Sequence, residues 1–367
     1  MGTFLITGGA GFIGRHVARE LRGAGHRVRV FDSLVEQAHR GACALPDDIH
    51  FIKGDVRDAR AVAEALSGVD GVFHLAAEVG VGQSMYEIER YVAANTLGTA
   101  VLMQALAKRP VGRIVVASSM SLYGEGLYRD AGGAPVEDVR RSAADLRARR
   151  WDPCGPTGLP LTPAPTPECK RPDLASVYAL TKHDQEQLVL ILAAAYGIEA
   201  VALRLFNVFG PGQMLSNPYT GVLAIFAGRL LNGTAPLVFE DGQQRRDFVH
   251  VADVARAFRL AMERPGMGGG VFNIGSGRSY TVAGVARLLA DAMGRPDLQP
   301  LLLGNARTGD IRHCFADIAR ARRELGYEPR HPLEDSVGEL VAWVSGQQAQ
   351  DRVAEAHGEL EQRGLVA

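Results

Sequence analysis

The sequence contains little of what places a protein in a membrane, on nucleic acid or in an oxidising compartment. Only four of its 367 residues are cysteines, without short paired spacings, so we expect free thiols rather than disulfides. The net charge of −1 lacks the basic excess that binding to nucleic acid or anionic membranes requires. No apolar run approaches the roughly 18 to 20 residues of a membrane span, and no basic leader precedes the first predicted strand. These absences favour a cytoplasmic protein that has neither nucleic acid nor a membrane as partner.

Metal ligands are also sparse in the sequence. The ten histidines form no pair three or four residues apart. Cys154 and Gly155 resemble half of a zinc knuckle, but a second Cys-x-x-Cys is absent. We therefore expect no bound metal, with a zinc site in this segment as the minor alternative. The free-thiol prediction applies to Cys43, Cys154, Cys169 and Cys314.

The first third of the chain alternates short apolar strands with amphipathic helices. This alternation predicts right-handed βαβ units and an α/β fold with a doubly wound parallel sheet of the Rossmann type. A further predicted helix over 176–195 leads into a strand over 200–206. The earlier predicted strands are 3–7, 27–31, 49–52, 72–75 and 113–117, and the helices between them are 12–23, 58–67 and 87–108.

The pattern loosens after Gly210, which indicates a smaller mixed α/β lobe that closes over a ligand. Its predicted helices and strands are 221–232, 251–263 and 281–293, and 236–239 and 271–274. The sequence thus predicts a Rossmann domain over 1–208 and 245–275, a substrate lobe over 209–244 and 276–344, and a helical tail over 345–367. We expect no chemistry from the polar tail.

One segment interrupts the alternation of strands and helices. Residues 126–172 hold eight of the 18 prolines, and such a composition predicts a long loop without regular structure. This insert separates two motifs that we expect to meet in space. We therefore predict that it lies at the mouth of the active site.

A glycine-rich turn follows the first predicted strand and opens the first predicted helix. Gly9, Gly11 and Gly14 satisfy the G-x-G-x-x-G spacing, and Gly8 precedes them. Glycines permit the tight turn and allow the backbone to approach a pyrophosphate, which the helix N-terminus then binds through its free N–H groups. The turn therefore predicts dinucleotide binding.

Acidic residues follow the second and third predicted strands. Asp32 lies where a carboxylate accepts hydrogen bonds from the adenosine ribose and repels a 2′-phosphate. No arginine is present among residues 33–35, so the sequence predicts NAD rather than NADP. Asp55 and Val56 follow the third strand at the same sheet edge, where they either frame the adenine or form a simple acidic turn.

Tyr178 and Lys182 are four residues apart on a predicted helix and therefore share one face. A nearby ammonium favours the phenolate, so we expect Lys182 to lower the pKa of Tyr178 towards a value suited to a general base. Ser118 and Ser119 end a buried predicted strand and offer hydroxyls to a substrate oxygen.

These motifs occur in an order that resembles the extended short-chain dehydrogenase/reductase family, over about residues 2–340. The resemblance implies that Tyr178 takes a proton from a sugar hydroxyl while Ser119 holds the oxygen and Lys182 holds the nicotinamide ribose. The implied cofactor contacts are Gly8, Gly11, Phe12, Ile13, Gly14, Asp32, Ser33, Asp55, Val56, Leu75, Ala76, Ala77, Asn95, Ser118, Tyr178 and Lys182. The implied substrate contacts, with Asn207, Arg246 and Arg307 at the diphosphate, are Val79, Ser119, Met120, Ser121, Tyr178, Asn207, Val222, Arg246 and Arg307.

Met120 and Ser121 bear on the reaction. Family dehydratases carry Asp-Glu after the catalytic Ser or Thr, and decarboxylases carry Ser-Glu. This sequence has no carboxyl side chain at either position, so it lacks the acid and base groups of both reactions. The resemblance then implies 4-epimerisation of a nucleotide-diphosphate sugar through a transient 4-keto sugar, by a homodimer joined through helices 87–108 and 176–195. The motif at 215–221 resembles a bacterial subgroup that acts on dTDP-L-rhamnose. UDP-hexose and UDP-uronate 4-epimerases remain alternatives, followed by a dehydratase or decarboxylase and a non-catalytic NAD sensor.

Overall fold

A computed structural model describes residues 1–39, 45–46, 48–219, 221–307, 309–351 and 353–366. Cys43 and Thr220 lie outside these residues. The other three cysteines are free thiols, as the sequence predicted, and Cys314 is buried. In the described part of the chain, no helix is both long and apolar enough to cross a membrane.

The strands that the sequence predicted are present, with bounds shifted by one or two residues. The described residues form 17 strands: β1 Thr3–Thr7, β2 Arg27–Asp32, β3 His50–Lys53, β4 Gly71–His74, β5 Arg113–Ser119, β6 Leu127–Arg129, β7 Pro135–Val136, β8 Thr162–Ala164, β9 Glu199–Leu205, β10 Asn207–Phe209, β11 Leu237–Val238, β12 Arg245–Arg246, β13 Phe248–His250, β14 Gly270–Ile274, β15 Tyr280–Thr281, β16 Leu301–Leu302 and β17 His313–Cys314.

The helices also agree with the apolar periodicity of the sequence. They are α1 Phe12–Gly23, α2 Glu36–His39, α3 Ala59–Ala65, α4 Val81–Ser84, α5 Ile88–Tyr91, α6 Gly98–Lys108, α7 Ala143–Arg147, α8 Val177–Ala195, α9 Val222–Leu231, α10 Val251–Glu263, α11 Val282–Ala292, α12 Leu333–Ser345 and α13 Val353–Gln362. The predicted helix over 87–108 contains a π-helical segment, Val92–Leu97, between α5 and α6.

Seven parallel strands form the central sheet in the order β14-β9-β5-β4-β1-β2-β3. The order reverses between β1 and β4, so the loops that leave these two strands diverge and open a crevice at their carboxyl ends. Ligands of doubly wound sheets bind in such a crevice. The predicted α/β Rossmann-type sheet is therefore confirmed.

The sheet is buried on both faces because successive side chains of each strand point in opposite directions. Ile6 of β1 joins the core that α1 and α10 cover, whereas its neighbour Leu5 joins the core on the opposite face, beneath α3, α6 and α8. Both side chains are fully buried. A separate apolar core joins α9, α11 and α12. This second core agrees with a substrate lobe, although the exact domain boundaries stay a prediction.

The insert over 126–172 is folded, so the prediction of a long loop without regular structure is wrong. Strands β7, β6 and β8 form an antiparallel sheet, with Leu127 opposite Ala164, and α7 follows β7. Tyr128, Val139 and Leu161 form a small apolar core beneath it. Short strands that contain proline and pair across more than 30 residues leave no local period in the sequence.

Buried ion pairs attach the insert to the substrate lobe. Arg141 pairs with Glu125 at 3.0 Å and with Glu240 at 2.5 Å, and Arg312 pairs with Glu240 at 2.9 Å. These four side chains are at most 7% exposed. Removing one member of such a network leaves a buried charge without its partner, which is strongly destabilising. The insert therefore stabilises the substrate lobe through these buried ion pairs.

Candidate active site

A cavity of about 900 Å³ runs along the carboxyl edge of the sheet and continues between the sheet and the substrate lobe. This volume lies at the upper end of the range for small-molecule sites. Every residue that the sequence predicted to contact cofactor or substrate lines this cavity, except Asn95. None of the residues of the insert lines it, so the predicted position of the insert at the mouth of the site is wrong as well.

The glycine turn approaches the neighbouring chain so closely that side chains cannot fit. Gly8 has φ +68°, and a Cβ there would lie 2.7 Å from the backbone N of Ala76. A Cβ at Gly14 would lie 2.5 Å from the carbonyl oxygen of Gly8. Helix α1 begins directly after Gly11 with no side-chain cap, which leaves its first N–H groups available to an anion. This cradle fits the pyrophosphate of a dinucleotide.

Asp32 is held rigidly at the end of β2. Its Oδ2 accepts a hydrogen bond from the Ala10 N–H at 3.0 Å, and its Oδ1 accepts one from the Leu34 N–H at 2.9 Å. His39 lies 3.2 Å from the same carboxylate. Because a carboxylate has about four acceptor positions, Asp32 can still accept hydrogen bonds from ribose hydroxyls. Its place in the cavity wall agrees with the predicted NAD contact.

Asp55 is paired with a residue that the sequence analysis did not single out. Arg57 donates two hydrogen bonds to its carboxylate, at 2.9 Å and 2.6 Å, and thereby lowers the pKa of Asp55. Both residues line the cavity, as do Ser33 and Val56. Arg57 is two residues from Asp55, so its proximity could have been expected, but the sequence alone does not show that it faces the cavity.

Ser119 and Tyr178 meet where β5 and α8 approach each other. The Ser119 Oγ accepts hydrogen bonds from the Ser121 N–H at 3.1 Å and from the Ser121 hydroxyl at 2.8 Å. Tyr178 is hydrogen-bonded to Ser119, which lowers the pKa of the phenol, but burial raises it by more. The expected lowered pKa of Tyr178 is therefore not confirmed: in this environment burial dominates.

Lys182 lies on the same helix as Tyr178 and is 3% exposed. Its Nζ donates a hydrogen bond to Gln185 Oε1 at 2.7 Å. The amide of Gln185 continues the network to Thr99 Oγ1 at 2.9 Å and to the backbone oxygen of Ala76 at 3.2 Å. Burial lowers the pKa of Lys182 to about 7, although the carboxylate of Glu186 raises it. Burial of Lys182 therefore opposes its charged form, and Glu186 favours it.

Glu186 connects Ser118 of β5 to the buried Arg204. The sequence analysis did not identify this residue. Its carboxylate accepts a hydrogen bond from the Ser118 hydroxyl at 2.6 Å and pairs with Arg204 at 2.7 Å. Glu186 is fully buried and Arg204 is 7% exposed on its side chain. The hydroxyl of Ser118 is therefore directed into this ion pair, although Ser118 also borders the cavity.

Asn95 differs from the sequence prediction. It is fully buried in the π-helical segment, and its Oδ1 accepts a hydrogen bond from the Glu78 N–H at 2.7 Å. Its Nδ2 donates to the Glu78 carbonyl at 3.1 Å and to Thr181 Oγ1 at 3.0 Å. Because its polar atoms are already engaged, Asn95 positions the segment after β4 and does not itself face the cavity.

The substrate lobe contributes two arginines that share one carboxylate. Asp310 accepts hydrogen bonds from Arg307 Nη2 at 2.8 Å and from Arg246 Nη2 at 3.4 Å. These cations lower the pKa of Asp310 to about 2, although burial raises it. Asn207 also lines the cavity, and its buried Oδ1 has no hydrogen-bond partner among the described residues. Such a group fits a polar ligand, as the sequence predicted for this position.

Comparison with known proteins places this site in a family. Residues 4–141 and 160–275 match the model of the NAD dependent epimerase/dehydratase family. The chain belongs to this family. NAD is accordingly the cofactor of this protein, as the sequence predicted. The glycine turn and Asp32 line the cavity and fit this cofactor.

Individual family members are similar over almost the whole chain. A dTDP-L-rhamnose 4-epimerase from Burkholderia thailandensis is 37% identical, and the match covers 93% of this chain and 94% of the relative. A dTDP-glucose 4,6-dehydratase from Actinoplanes sp. is 30% identical, with 92% and 96% covered. The crystal structure of a UDP-glucose 4-epimerase from Thermotoga maritima with UDP-glucose has a TM-score of 0.77 at 32% identity, covering 93% of this chain and 98% of that one. The relatives thus include both isomerases and dehydratases.

Proposed function

We propose that this family member is an NAD-dependent nucleotide-sugar 4-epimerase that acts on a dTDP-linked 6-deoxyhexose such as dTDP-L-rhamnose. The observation that carries the proposal is the pair that follows Ser119. Met120 and Ser121 line the cavity, and Ser121 is hydrogen-bonded to Ser119, so neither supplies the carboxyl acid or base that elimination of water requires.

The carboxylates of the cavity wall also favour epimerisation over elimination of water. Four acidic residues line the cavity, and each has a partner: His39 for Asp32, Arg57 for Asp55, Arg90 for Glu78, and Arg307 for Asp310. The arginines lower the pKa of Asp55 and of Asp310, which makes these two carboxyl groups poor proton donors. A 4-epimerase needs no such acid, because the proton removed in the first half of the reaction is returned in the second half.

Three residues of this chain would handle the proton at the sugar hydroxyl. Tyr178 accepts it, Ser119 holds the oxygen by a hydrogen bond, and Lys182 orients the nicotinamide ribose and favours the phenolate. NAD, when bound, accepts and returns the hydride and brings a positively charged ring that also favours the phenolate. Asn207, Arg246 and Arg307 would hold the diphosphate, for which a planar guanidinium is well suited.

Substitution of Tyr178 tests the mechanism. We expect Tyr178→Phe to abolish turnover while NAD remains bound, because the substitution removes the hydroxyl and leaves the ring that packs against Tyr91. Bound NAD is measured by absorbance after denaturation. Full activity of the variant would contradict the assigned role.

A panel of nucleotide sugars tests the reaction. The enzyme is incubated with dTDP-L-rhamnose, UDP-glucose, UDP-glucuronate and dTDP-glucose, and the products are analysed by NMR. Inversion at C4 of dTDP-L-rhamnose is the expected result. Inversion of a UDP-sugar alone would assign the substrate differently, and loss of water or CO₂ would overturn the epimerase proposal.

We also propose a homodimer that is joined through the helical regions 88–108 and 177–195. Apolar side chains are exposed there, with Leu97 at 52% and Ile191 at 63% exposure. Exposed apolar residues that share one face are typical of a protein interface. Sedimentation equilibrium should give twice the chain mass of 39.3 kDa. A monomer mass at micromolar concentration would contradict this proposal.

A further inference from the structure

The C-terminal helix α13 forms part of the cavity wall, which differs from the prediction of a tail without a role. Val353, Ala356 and Leu360 are spaced by three and four residues, so they lie on one face of the helix. All three line the cavity, and Ala356 and Leu360 are 7% and 5% exposed. The helix thus presents an apolar stripe to the interior of the site.

Polar contacts fix this helix to the segments that enclose the cavity. The Glu359 carboxylate accepts hydrogen bonds from the Tyr86 hydroxyl at 2.8 Å and from the Tyr219 hydroxyl at 2.9 Å. The guanidinium of Arg363 lies 4.3 Å above the centre of the Tyr86 ring. A backbone bridge joins Arg307 to Val366. The region of the helix is therefore bound both to Tyr86, which follows α4, and to the segment that carries Arg307.

Helix α4 lies between the apolar stripe and α8, which carries Tyr178 and Lys182. Leu360 packs on α4, where a Cβ at Gly82 would be 3.5 Å from Leu360 Cδ1. Ser84 ends the same short helix, and its Oγ accepts a hydrogen bond from the backbone N–H of Tyr178 at 3.0 Å. One short helix thus separates the stripe from the residue proposed to act on the sugar hydroxyl.

The arginines that line the cavity are already paired with carboxylates. Each of the four arginines in the cavity wall already has a carboxylate partner: Asp55 for Arg57, Glu78 for Arg90, and Asp310 for both Arg246 and Arg307. A hydroxyl or carboxylate that is placed against Val353, Ala356 and Leu360 would lose water without gaining a partner from them, which is unfavourable. A methyl group would gain from the same burial.

We propose that helix α13 is a specificity element, in which Val353, Ala356 and Leu360 contact the methyl group of a 6-deoxyhexose and disfavour sugars with a hydroxymethyl or carboxylate group there. The proposal rests on the proposed nucleotide-sugar function. It assigns a role to the stretch of the chain that follows the substrate lobe and makes substrate choice depend on its last helix.

Two ligands that differ by one oxygen atom test the proposal. dTDP-L-mannose differs from dTDP-L-rhamnose only by the hydroxyl at C6, so the ratio of their dissociation constants isolates the contact with the C6 group. Calorimetry on the NAD-bound enzyme measures both constants. We expect the wild type to bind dTDP-L-rhamnose at least about tenfold more tightly, which is within the range for an apolar pocket that meets an added hydroxyl.

Variants of the helix assign that ratio to the stripe. Leu360→Gln places a hydrogen-bonding amide in the wall, and we expect the ratio to fall to within about threefold of unity. Ala356→Ser adds a single hydroxyl on the same face and should lower the ratio in the same direction. Leu360→Met, which conserves apolar volume, and Gln362→Ala, at an exposed position, should keep the ratio of the wild type.

The outcomes separate the two proposals. If the wild type neither binds nor inverts dTDP-L-rhamnose, the proposed function fails. If it inverts dTDP-L-rhamnose but does not discriminate between the ligands, or if both Leu360→Gln and Ala356→Ser keep the ratio of the wild type, the role of α13 is overturned. The NAD content of each variant shows that it is folded, and Ala356→Ser decides the question if Leu360→Gln lacks NAD.

Discussion

Substitution of Glu186 by Gln should destabilise the protein strongly and also alter catalysis. The substitution keeps the size of the side chain but removes the negative charge that pairs with Arg204 at 2.7 Å in a fully buried position. It also replaces one acceptor oxygen by a donor, whereas the carboxylate accepts hydrogen bonds from both Ser118 and Arg204. The guanidinium then remains in the core without a counterion.

The size of the effect follows from burial. Breaking a buried ion pair by removing one partner costs about 3 to 5 kcal/mol. Arg204 retains the Tyr123 hydroxyl at 2.9 Å and the Glu168 carbonyl at 3.1 Å, which still accept its hydrogen bonds. We therefore expect the free energy of unfolding to fall by about 3 kcal/mol, the lower end of that range.

Urea denaturation followed by circular dichroism measures this loss, with the same NAD concentration for every variant. Glu64→Gln is the matched control, because Glu64 forms an ion pair with Arg60 at a similar distance, 3.0 Å, on an exposed helix surface. The control should lose at most about 0.5 kcal/mol. If Glu186→Gln loses no more than Glu64→Gln, the buried pair does not have the energetic role assigned to it.

The pH profile provides a second measurement on the same variant. Glu186 raises the pKa of Lys182, which burial lowers to about 7. Removal of the charge therefore lowers the pKa of Lys182 further. If the ammonium form supports catalysis, the alkaline limb of kcat/KM moves to lower pH in Glu186→Gln. An unchanged alkaline limb in an active variant would refute the coupling between Glu186 and Lys182.

Other perturbations test the cofactor turn, the arginine pair and a buried carboxyl. Gly14→Ala should lower the NAD content at least about tenfold, because the added Cβ would lie 2.5 Å from the Gly8 oxygen. Gly23→Ala is the control in α1, because a Cβ there would have nothing within 4 Å. Equal NAD contents in the two variants would refute the steric argument. Asp310→Asn should raise KM more than it lowers kcat in steady-state kinetics, because it disturbs the arginine pair without touching Tyr178. Burial raises the pKa of Asp247 from 3.8 to about 6. Between these two pH values the folded state therefore binds a proton that the unfolded state has released. Relative to Asp247→Asn, the wild type should therefore lose about 1 kcal/mol of unfolding free energy between pH 5 and pH 7.5, and a constant difference would contradict the raised pKa.

The sequence predicted the Rossmann sheet and the glycine turn of the cavity wall because the signals for these parts are local. A buried strand, the turn from Gly8 to Gly14 and the start of α1 lie within 20 residues, so their spacing alone indicates the geometry. Tyr178 and Lys182 likewise share one helix. The buried strand indicated Ser118 and Ser119 equally, and the family resemblance implied the choice of Ser119.

The parts that the sequence did not predict depend on contacts between distant segments. Glu359 meets Tyr86 across 273 positions, and Arg312 of the lobe meets Asp152 of the insert across 160. The periodicity of apolar residues within a helix or strand does not indicate which distant segments will contact each other. One signal was present in the tail: the spacing of Val353, Ala356 and Leu360 in a polar helix indicates a buried face, although not which surface covers it.

The proton network around Lys182 was also outside the reach of the sequence. Two positions four residues apart indicate a shared face, but the pKa of each depends on how deeply that face is buried. Here burial opposes the expected effect of the ammonium on Tyr178. Electrostatic balance of this kind is a property of the assembled site.

The participation of the last helix in the cavity wall has a consequence for biosynthesis. The turn that receives NAD is translated first, whereas Leu360 follows it by roughly 350 residues, which is about 20 to 70 seconds of translation at ordinary rates. During that interval a nascent chain can form the central sheet, whose last strand ends at Ile274, but not the complete cavity wall. The order of the polypeptide thus imposes an order on assembly, and a chain that terminates before α13 lacks the part of the wall that Val353, Ala356 and Leu360 form.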